Sequence, residues 1–516
     1  MSIPSPTEPP SHVDVLIIGA GLSGIGAAYH LQTRCPTLSY AILEGRGAMG
    51  GTWDLFRYPG IRSDSDMYTL GYRFRPWHGG KAIADGPSIK KYIEETAAEY
   101  GIDRRIRYHH RVTRAEWSSE HARWTVDAEV GPERVPVRLT CGFLYTCTGY
   151  YDYASGYTPT WPGTERFGGR IVHPQHWPED LDYSGKRVVV IGSGATAVTL
   201  VPAMAGRAAH VTMLQRSPTY IADQPAQDSV ARALGHVLPR GAAYAVARWK
   251  NVLRGMFFYN LARSRPGLMK WLLRLGVRRA LGKTFDVDTH FAPRYNPWDE
   301  RLCVAPDGDL FRAIREGHAS VVTDHIESFT ETGLQLRSGK HLDADLVVTA
   351  TGLNVKIMSG LALAVDGEPV QLSRTLAYKG MMFSDVPNLV AAFGYTNASW
   401  TLKCDLVAEY VCRLLNHMRQ HGHAQCVPRV RGPGMTPEPV LDFSSGYVQR
   451  ALDSLPRQGT RAPWRLYQNY MRDLLLMRYG RVDDDAMEFR RSASATPRQA
   501  QLPDGSTGAG AEVARG

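Results

Sequence analysis

Near the start of the chain stands the segment Val13-Asp14-Val15-Leu16-Ile17-Ile18-Gly19-Ala20-Gly21-Leu22-Ser23-Gly24. Its apolar run predicts a buried parallel strand that leads directly into glycines, and residues 22 to about 33 predict a helix. In such a strand–turn–helix, Gly19 makes the tight turn, Gly21 lets backbone approach a pyrophosphate, and Gly24 lets the helix pack closely on the strand. The helix N-terminus, with Ser23 in its first turn, offers N–H groups and the positive end of the dipole to phosphates.

The residues after this helix strengthen the prediction of a dinucleotide site. Gly accounts for 50 of the 516 residues, so an isolated G-x-G-x-x-G pattern carries little information. Residues 39–43 predict a second strand that ends at Glu44, where an acid can bind the ribose hydroxyls of an adenosine nucleotide. Strand, glycine loop, helix, second strand and acid together predict a βαβ nucleotide-binding unit.

A second unit of the same kind begins with the predicted strand 188–191. Its glycine loop contains Gly192, Ser193, Gly194, Ala195 and Thr196, and Ala197 replaces the third glycine. The strand 210–214 then leads to Gln215 and Arg216. An acid there would repel a 2′-phosphate, whereas Arg216 can pair with it, which favours NADPH over NADH. The alternative explanation for Arg216 is a solvated surface arginine. Pro202, in the helix that follows the glycine loop, predicts that this helix is kinked or shortened.

The segment between the two units identifies a family. It has the pattern F-x-G-x-x-x-H-x-x-x-W-P, formed by Phe167, Gly169, His173, Trp177 and Pro178. This pattern is the fingerprint of type I Baeyer–Villiger monooxygenases, and the chain resembles a member of that family. Residues 173–183 and 189–203 resemble in particular a mycobacterial branch that acts on thioamide drugs.

The resemblance implies an α/β fold with two Rossmann-like dinucleotide-binding domains, one for FAD and one for NADPH, and a helical insertion. Two similar Thr-Gly segments, at 144–150 and 346–352, predict that the chain leaves and re-enters the FAD domain. The predicted division is as follows: a disordered N-terminus 1–12, a discontinuous FAD domain 13–150 and 346–490, an NADPH domain 151–345 with a helical insert 220–292, and a disordered tail 491–516.

The same resemblance assigns roles to single residues. In the family, the loop containing Gly51, Thr52, Trp53 and Asp64 wraps the FAD, and a strand residue at the position of Val112 offers backbone to adenine. A turn-rich surface loop and an ordinary strand valine are the alternative explanations.

Arg301 stands at the family's catalytic arginine. Glu300 replaces the lysine that often precedes that arginine, which weakens the prediction of strict NADPH selection. Asp64 would hold Arg301 in place, although a turn or cap carboxylate is the alternative and Asp66 is a rival. His173 is expected to orient the linker between the domains and to couple their motion.

The implied reaction starts with hydride transfer from NADPH to FAD, and reduced flavin then adds O2 as a C4a-peroxide. The deprotonated peroxide attacks a ketone and gives an ester or lactone, whereas the protonated form oxygenates sulfides or thioamides. The expected partners are therefore a small ketone or sulfide and O2, with no nucleic acid and no metal site.

Composition and charge indicate in which cellular compartment the protein is expected. Seven scattered cysteines without a CxxC pair predict a reducing cytoplasm. No secretory signal and no apolar run of about 18 residues or more is visible. The formal charge is +10, and residues 246–283 contain ten Lys or Arg and no acid. Two explanations stay open for this basic segment: helices packed on the enzyme with a solvated face, or peripheral contact with an anionic membrane.

Three other functions compete with this interpretation. An N- or S-oxygenating flavin monooxygenase has a fingerprint that ends in Tyr or Phe, so Trp177 and Pro178 favour ketone oxidation. A disulfide reductase needs a redox cysteine pair near the flavin, and residues 45–65 contain no cysteine. A flavin-binding membrane-surface protein without turnover is the third.

Overall fold

The computed structural model describes residues 11–300, 302–432, 434–441 and 443–491. The predicted disordered ends, 1–12 and 491–516, therefore lie almost entirely outside the described residues. Where the first of them overlaps the structure, His12 already belongs to a strand.

The first part of the chain builds a sheet around its first strand. Its elements are β1 (His12–Ile18), α1 (Leu22–Arg34), β2 (Tyr40–Leu43), α2 (Thr52–Leu55), α3 (Met67–Leu70), α4 (Gly86–Glu99), β3 (Ile106–Arg107), β4 (His110–Ser118), β5 (Arg123–Val130) and β6 (Val135–Thr146). Strand β1 pairs in parallel with β2 and with β6, and β2 pairs in parallel with β3. Strands β4, β5 and β6 form an antiparallel meander. Helix α1 is the crossover that a parallel β1–β2 pair requires.

Close packing explains why glycines stand where β1 meets α1. Gly19 has φ +103°, a conformation that favours glycine. A Cβ on Gly24 would lie 1.9 Å from the carbonyl oxygen of Gly19. Helix α1 can therefore lie directly against the end of β1 only because both residues lack a side chain.

The middle of the chain builds a second parallel sheet. Its elements are β7 (Tyr151–Gly156), β8 (Arg170–Val172), β9 (Arg187–Ile191), α5 (Ala195–Ala205), β10 (His210–Gln215), β11 (Ile221–Gln224), α6 (Ser229–Val237), α7 (Arg240–Ser264), α8 (Pro266–Leu281), α9 (Val287–His290), β12 (Cys303–Pro306), α10 (Asp309–Arg315), β13 (Ala319–Thr323), β14 (Ile326–Thr330), β15 (Gly333–Leu336), β16 (His341–Asp343) and β17 (Leu346–Thr349). The strand order is β13-β10-β9-β17-β8, and all pairs in it are parallel.

The last part of the chain returns to the first sheet. Its elements are β18 (Leu353–Val355), β19 (Ala362–Val365), β20 (Glu368–Pro369), β21 (Ala377–Tyr378), β22 (Met382–Phe383), β23 (Leu389–Ala391), α11 (Trp400–Gln420), β24 (Gln425–Pro428), β25 (Glu438–Pro439), α12 (Gly446–Gln449), β26 (Arg457–Gln458), α13 (Tyr470–Leu474) and β27 (Met487–Arg490). Strand β23 pairs with β6, and β19 pairs with β4. In the described residues the first sheet thus contains nine strands. Helix α11 packs against α1.

This architecture confirms the predicted α/β fold with two Rossmann-like units and a helical insertion. Two details differ from the prediction. Strand β17 belongs to the second sheet, where it pairs with β8 and β9, so the predicted return to the FAD domain at residue 346 is one strand too early. The predicted insert 220–292 begins with a strand, β11, which pairs in parallel with β12.

Pro202 does not interrupt the helix that follows the second glycine loop. Helix α5 continues through it to Ala205. The two crossings between the sheets lie side by side, because β7 and β18 pair as an antiparallel ribbon.

Candidate active site

A cavity of about 570 Å³ lies where the two units meet. The start of α1 and the start of α5 both line it, so the two predicted nucleotide sites open onto the same space. The predicted site residues that line this cavity are Gly19, Gly21, Ser23, Glu44, Gly51, Thr52, Trp53, Asp64, Val112, Ala195 and Thr196.

The first glycine loop offers a site that suits a dinucleotide. The N-terminus of α1 has no side-chain cap, so its first N–H groups are available to a phosphate. The carboxylate of Glu44 accepts hydrogen bonds from the backbone N–H of Ala20 at 2.8 Å and of Arg46 at 2.9 Å. Burial raises the pKa of Glu44, and these two hydrogen bonds oppose the rise. Glu44 is thereby fixed at the cavity wall.

The loop after β2 closes over this site. Gly51 lies against Gly21, since a Cβ built on Gly21 would be 3.5 Å from the Cα of Gly51. Behind it the buried carboxylate of Asp54 forms ion pairs with Arg46 and with Lys90, the second at 2.7 Å. These pairs hold α2, and with it Thr52 and Trp53, beside the first glycine loop.

The same loop reaches the second unit. Burial raises the pKa of Tyr58 to about 12, although a hydrogen bond between its hydroxyl and the side chain of Thr196 opposes the rise. A Cβ on Gly60, which has φ +75°, would lie 2.6 Å from the Cβ of Ala203 in α5. The loop therefore connects the two nucleotide sites across the cavity.

The structure separates the two candidate carboxylates of this loop. Asp66 caps α3: it accepts hydrogen bonds from the N–H of Thr69 at 3.1 Å and from the side-chain amide of Asn251 at 3.0 Å. Asp64 is exposed and lines the cavity. Asp66 thus serves as the cap of α3, whereas Asp64 lies at the cavity wall. Arg301, its predicted partner, lies outside the described residues.

The second glycine loop has a different character. Gly192 and Gly194 open α5, which also has no side-chain cap. The hydroxyl of Ser193 lies 2.7 Å from that of Thr219. Gln215 is buried, and its amide donates to the carbonyl of His290 at 2.7 Å. The side chain of Gln215 is therefore engaged inside the protein, and of the predicted pair only Arg216 is exposed.

Glu300 lies within electrostatic reach of Arg216. Burial raises the pKa of Glu300, and the positive charge of Arg216 opposes that rise. The acid that replaces the family's lysine is thus near the arginine that is predicted to bind the 2′-phosphate.

The fingerprint residues do not line the cavity. Phe167 is buried against Phe329 with ring centroids 5.9 Å apart, and a Cβ on Gly169 would lie 2.6 Å from the carbonyl oxygen of Asp345. Trp177 packs edge-on against Tyr183, and Pro178 follows it. These fingerprint residues therefore contribute to the packing of the second unit.

His173 contacts both strands of the linker ribbon. Its Nε2 lies 3.2 Å from the carbonyl oxygen of Gly352, and its Nδ1 accepts from the N–H of Gln175 at 3.2 Å. A Cβ on Gly156 would lie 1.9 Å from the imidazole ring. Burial lowers the pKa of His173, so the neutral ring is favoured. This geometry fits a residue that holds the linker.

Some cavity residues escaped the sequence analysis because their partners are distant in the chain. The indole N–H of Trp400 donates to the hydroxyl of Ser23 at 2.9 Å, and the ring of Tyr150 stacks on Trp400 at 5.1 Å. Tyr395 donates to Asp473 at 2.7 Å. Tyr150 and Trp400 both line the cavity, and no local signal in the sequence pointed to their contact.

Comparison with known proteins agrees with this geometry. Residues 85–358 match the family described as flavin-binding monooxygenase-like, and residues 17–95 match an NAD(P)-binding Rossmann-like domain. The chain is 56% identical over 481 residues to the FAD-containing monooxygenase EthA of Mycobacterium tuberculosis, which covers 93% of this chain and 98% of the relative. The predicted resemblance to a mycobacterial monooxygenase is confirmed.

Two solved structures share the fold. The first is an oxidized steroid monooxygenase bound to NADP, with a TM-score of 0.72, 22% identity, and coverage of 93% of this chain and 100% of the other. The second is an open structure of cyclohexanone monooxygenase, with a TM-score of 0.70, 18% identity, and coverage of 93% and 99%.

Proposed function

Because this chain belongs to the flavin-binding monooxygenase-like family, we propose that it is an FAD-dependent, NADPH-consuming Baeyer–Villiger monooxygenase. It inserts one atom of O2 into ketones to give esters or lactones, and it also oxygenates sulfides and thioamides. One observation carries the proposal: the helices that follow both glycine loops begin at the wall of one cavity. That arrangement lets two dinucleotides meet, which the reaction requires.

The residues around the cavity fit the two cofactors. FAD would lie on the first glycine loop, with its pyrophosphate at α1, its ribose beside Glu44 and its adenine near Val112. NADPH would lie on the second loop, with its 2′-phosphate at Arg216. We assign the first sheet, including the strands after Gly352, to an FAD domain and the second sheet to an NADPH domain. When bound, the two cofactors supply hydride transfer and O2 activation.

The protein contributes charge and positioning at this cavity. We propose that Arg301 is the catalytic residue, whose permanent positive charge stabilises the negative charge that develops on the substrate oxygen. Asp64, exposed at the cavity wall, would orient that guanidinium. His173 would hold the linker ribbon and act as a positioning residue between the two units.

The decisive experiment is a panel of ketones and sulfides, with products identified by mass and the position of oxygen insertion recorded. We expect esters or lactones from ketones and sulfoxides from sulfides, with NADPH consumed in step. Arg301→Ala should still allow NADPH to reduce the flavin but should lower ester formation by about 10²–10³-fold. Unchanged ester yield in that variant would remove Arg301 from the mechanism.

The second candidate is an N- or S-oxygenating flavin monooxygenase. Sulfoxides or N-oxides without any ester in the panel would favour it. The 56% identity to a FAD-containing monooxygenase supports both candidates equally, so Trp177 and Pro178 are what place ketone oxidation first.

We also propose that the basic insert, residues 246–283, makes peripheral contact with an anionic membrane. Among the described residues, no helix is long and apolar enough to cross a bilayer, so the contact would be confined to the surface. Cell fractionation at low and high salt tests this: recovery of all the protein in the soluble fraction at low salt would end the idea. The cytoplasmic location stays a prediction from cysteine usage.

A further inference from the structure

Helix α7 has an apolar outer face that is largely exposed in the described structure, although the ring of Trp249 also contacts that of Tyr470. Val246, Trp249, Leu253 and Phe257 are 47%, 39%, 56% and 62% exposed. Their spacing of three or four residues places them on one stripe of the helix. Large apolar side chains gathered on a water-facing stripe usually mark an interaction surface.

Helix α8 continues this feature. Leu268, Trp271 and Leu272 are 47%, 58% and 39% exposed, and the same spacing rule places them on one face. We call these seven side chains of α7 and α8 the outer apolar face.

The charges around the outer apolar face suit an anionic surface. Some cations of the insert already form ion pairs, for example Lys250 with Asp228, and Arg274 and Arg278 with the shared carboxylate of Asp288. Within the described part of the chain, the cations of the insert that belong to no ion pair are Arg254, Arg265, Lys270, Arg279 and Lys283. Apolar side chains beside uncompensated cations are the pattern of a helix that lies on anionic lipid.

The inner face of α7 forms hydrogen bonds to a short segment of the first unit. Arg248 is buried and donates to the carbonyls of Tyr68 at 2.7 Å and Gly71 at 2.8 Å. One turn before it, the hydroxyl of Tyr244 donates to the carbonyl of Tyr72 at 3.1 Å. One turn after it, the amide of Asn251 donates to the carboxylate of Asp66.

The segment that α7 grips, residues 66–72, belongs to the cavity wall. Leu70 lines the cavity, and so do Asp64 and Ser65, which directly precede the segment. The segment held by α7 thus contributes Leu70 to the cavity lining. As long as the hydrogen bonds between α7 and this segment persist, a displacement of α7 therefore also moves the cavity wall.

We propose that α7 couples membrane docking to turnover: its outer face binds anionic lipid, and its inner face transmits the docked position to residues 66–72. The lipid surface then favours one arrangement of the cavity wall and so regulates the monooxygenase. This inference rests on the proposed function for its effect on catalysis, and on the proposed membrane contact for its partner.

The test uses the FAD-loaded full-length enzyme with vesicles of phosphatidylglycerol and phosphatidylcholine, or of phosphatidylcholine alone. Co-sedimentation measures binding, and product formation from a water-soluble ketone measures turnover, so that accumulation of substrate in lipid does not contribute. We expect binding only to the vesicles that contain phosphatidylglycerol, with kcat/KM about fivefold higher when bound.

Two kinds of variant separate docking from coupling. Leu253→Ser with Phe257→Ser should abolish vesicle binding and activation and leave vesicle-free turnover unchanged. Val135→Ser, at an exposed valine in β6, is the matched control and should bind and respond like wild type. Tyr244→Phe with Asn251→Ala should bind vesicles normally but lose most of the activation, because only the inner face is altered.

Several outcomes would overturn the proposal. Binding without a change in turnover removes the coupling, and equal binding to both kinds of vesicle, or to neither, removes the anionic partner. Self-association that Phe257→Ser abolishes would assign the outer apolar face to a second copy of the chain. NADPH oxidation is recorded in every assay. If the proposed function is wrong, no oxygenated product forms even without vesicles, but co-sedimentation still measures vesicle binding.

Discussion

The two glycine loops have similar sequences but different surroundings. The first is enclosed: Gly24 lies against the carbonyl of Gly19, and Ser23 receives a hydrogen bond from Trp400 of α11. The second is open. A Cβ on Gly194 would meet nothing within 4 Å among the described residues, and Arg216 beside this loop is exposed.

We propose that this difference corresponds to two modes of cofactor use. A site covered by a loop, by α11 and by a buried acid suits a cofactor that stays bound through many turnovers. An open helix N-terminus with an exposed arginine suits a cofactor that enters and leaves in every cycle, because little has to move to release it. We therefore expect matched substitutions at the two loops to have different consequences.

The largest effect is expected at Gly24. Gly24→Val places a side chain 1.9 Å from the backbone oxygen of Gly19, and backbone cannot move away without separating α1 from β1. The variant should purify without flavin, with no absorbance near 450 nm, and should unfold at a clearly lower temperature than wild type.

Gly194→Ala is the comparison variant at the second loop, where Ala197 already stands at the position that corresponds to Gly24. Its φ of −77° suits alanine and its surroundings are open, so flavin content should stay the same and the thermal midpoint should move by no more than about 2 °C. If both variants lose flavin equally, the contrast between an enclosed and an open loop is wrong.

A smaller effect is expected at Arg216. Hydrogen bonds to a charged group contribute about 1.5–3 kcal/mol, so Arg216→Ala should raise the KM for NADPH by about 10–100-fold and leave the KM for NADH almost unchanged. Arg207→Ala, an exposed arginine in the same unit, is the control. Equal loss with both cofactors would mean that Arg216 does not contact the 2′-phosphate.

The same contrast explains what the sequence could and could not predict. Both βαβ units were predictable, because the requirement for glycine between strand and helix is local: the atoms that exclude a side chain at Gly24 belong to Gly19, five residues away. Glu44 was predictable for the same reason, since it ends the very next strand.

Long-range contacts set the rest of the site. Gln215 occupies the position of a cofactor ligand, but His290 approaches it from 75 residues downstream and takes its amide. Trp400 reaches Ser23 across 377 residues. Asp64 and Asp66 are equivalent candidates in the sequence, but in the structure Asp66 is the N-cap of α3. The roles of these side chains depend on how distant segments pack, and the spacing of residues in the sequence does not indicate them.

The linker between the two loops adds a pH-dependent prediction. Burial lowers the pKa of His173 below its ordinary value, so the unfolded chain binds a proton more readily than the folded one. The contribution of His173 to stability is therefore present above the unfolded pKa of about 6.5 and is lost as the pH falls. The difference in free energy of unfolding between wild type and His173→Asn should shrink between pH 8 and pH 5.5, as measured by urea titration. A difference that is constant over this range would contradict a neutral, linker-holding imidazole.

The smallest expected effect concerns Glu300, which is near Arg216 beside the open loop. The charge of Arg216 opposes the rise in the pKa of Glu300, so the two charges are near each other, and we expect the carboxylate to compete with a 2′-phosphate for the guanidinium. A partly exposed charge pair is worth about 0.2–1 kcal/mol, so Glu300→Gln should lower the KM for NADPH by no more than about fivefold, with no change for NADH. Glu316→Gln, at an exposed acid that ends α10, controls for the loss of one negative charge. A higher KM for NADPH in Glu300→Gln would show instead that the acid orients Arg216 for binding, and the second loop would then have a built-in support like the one that Glu44 receives in the first.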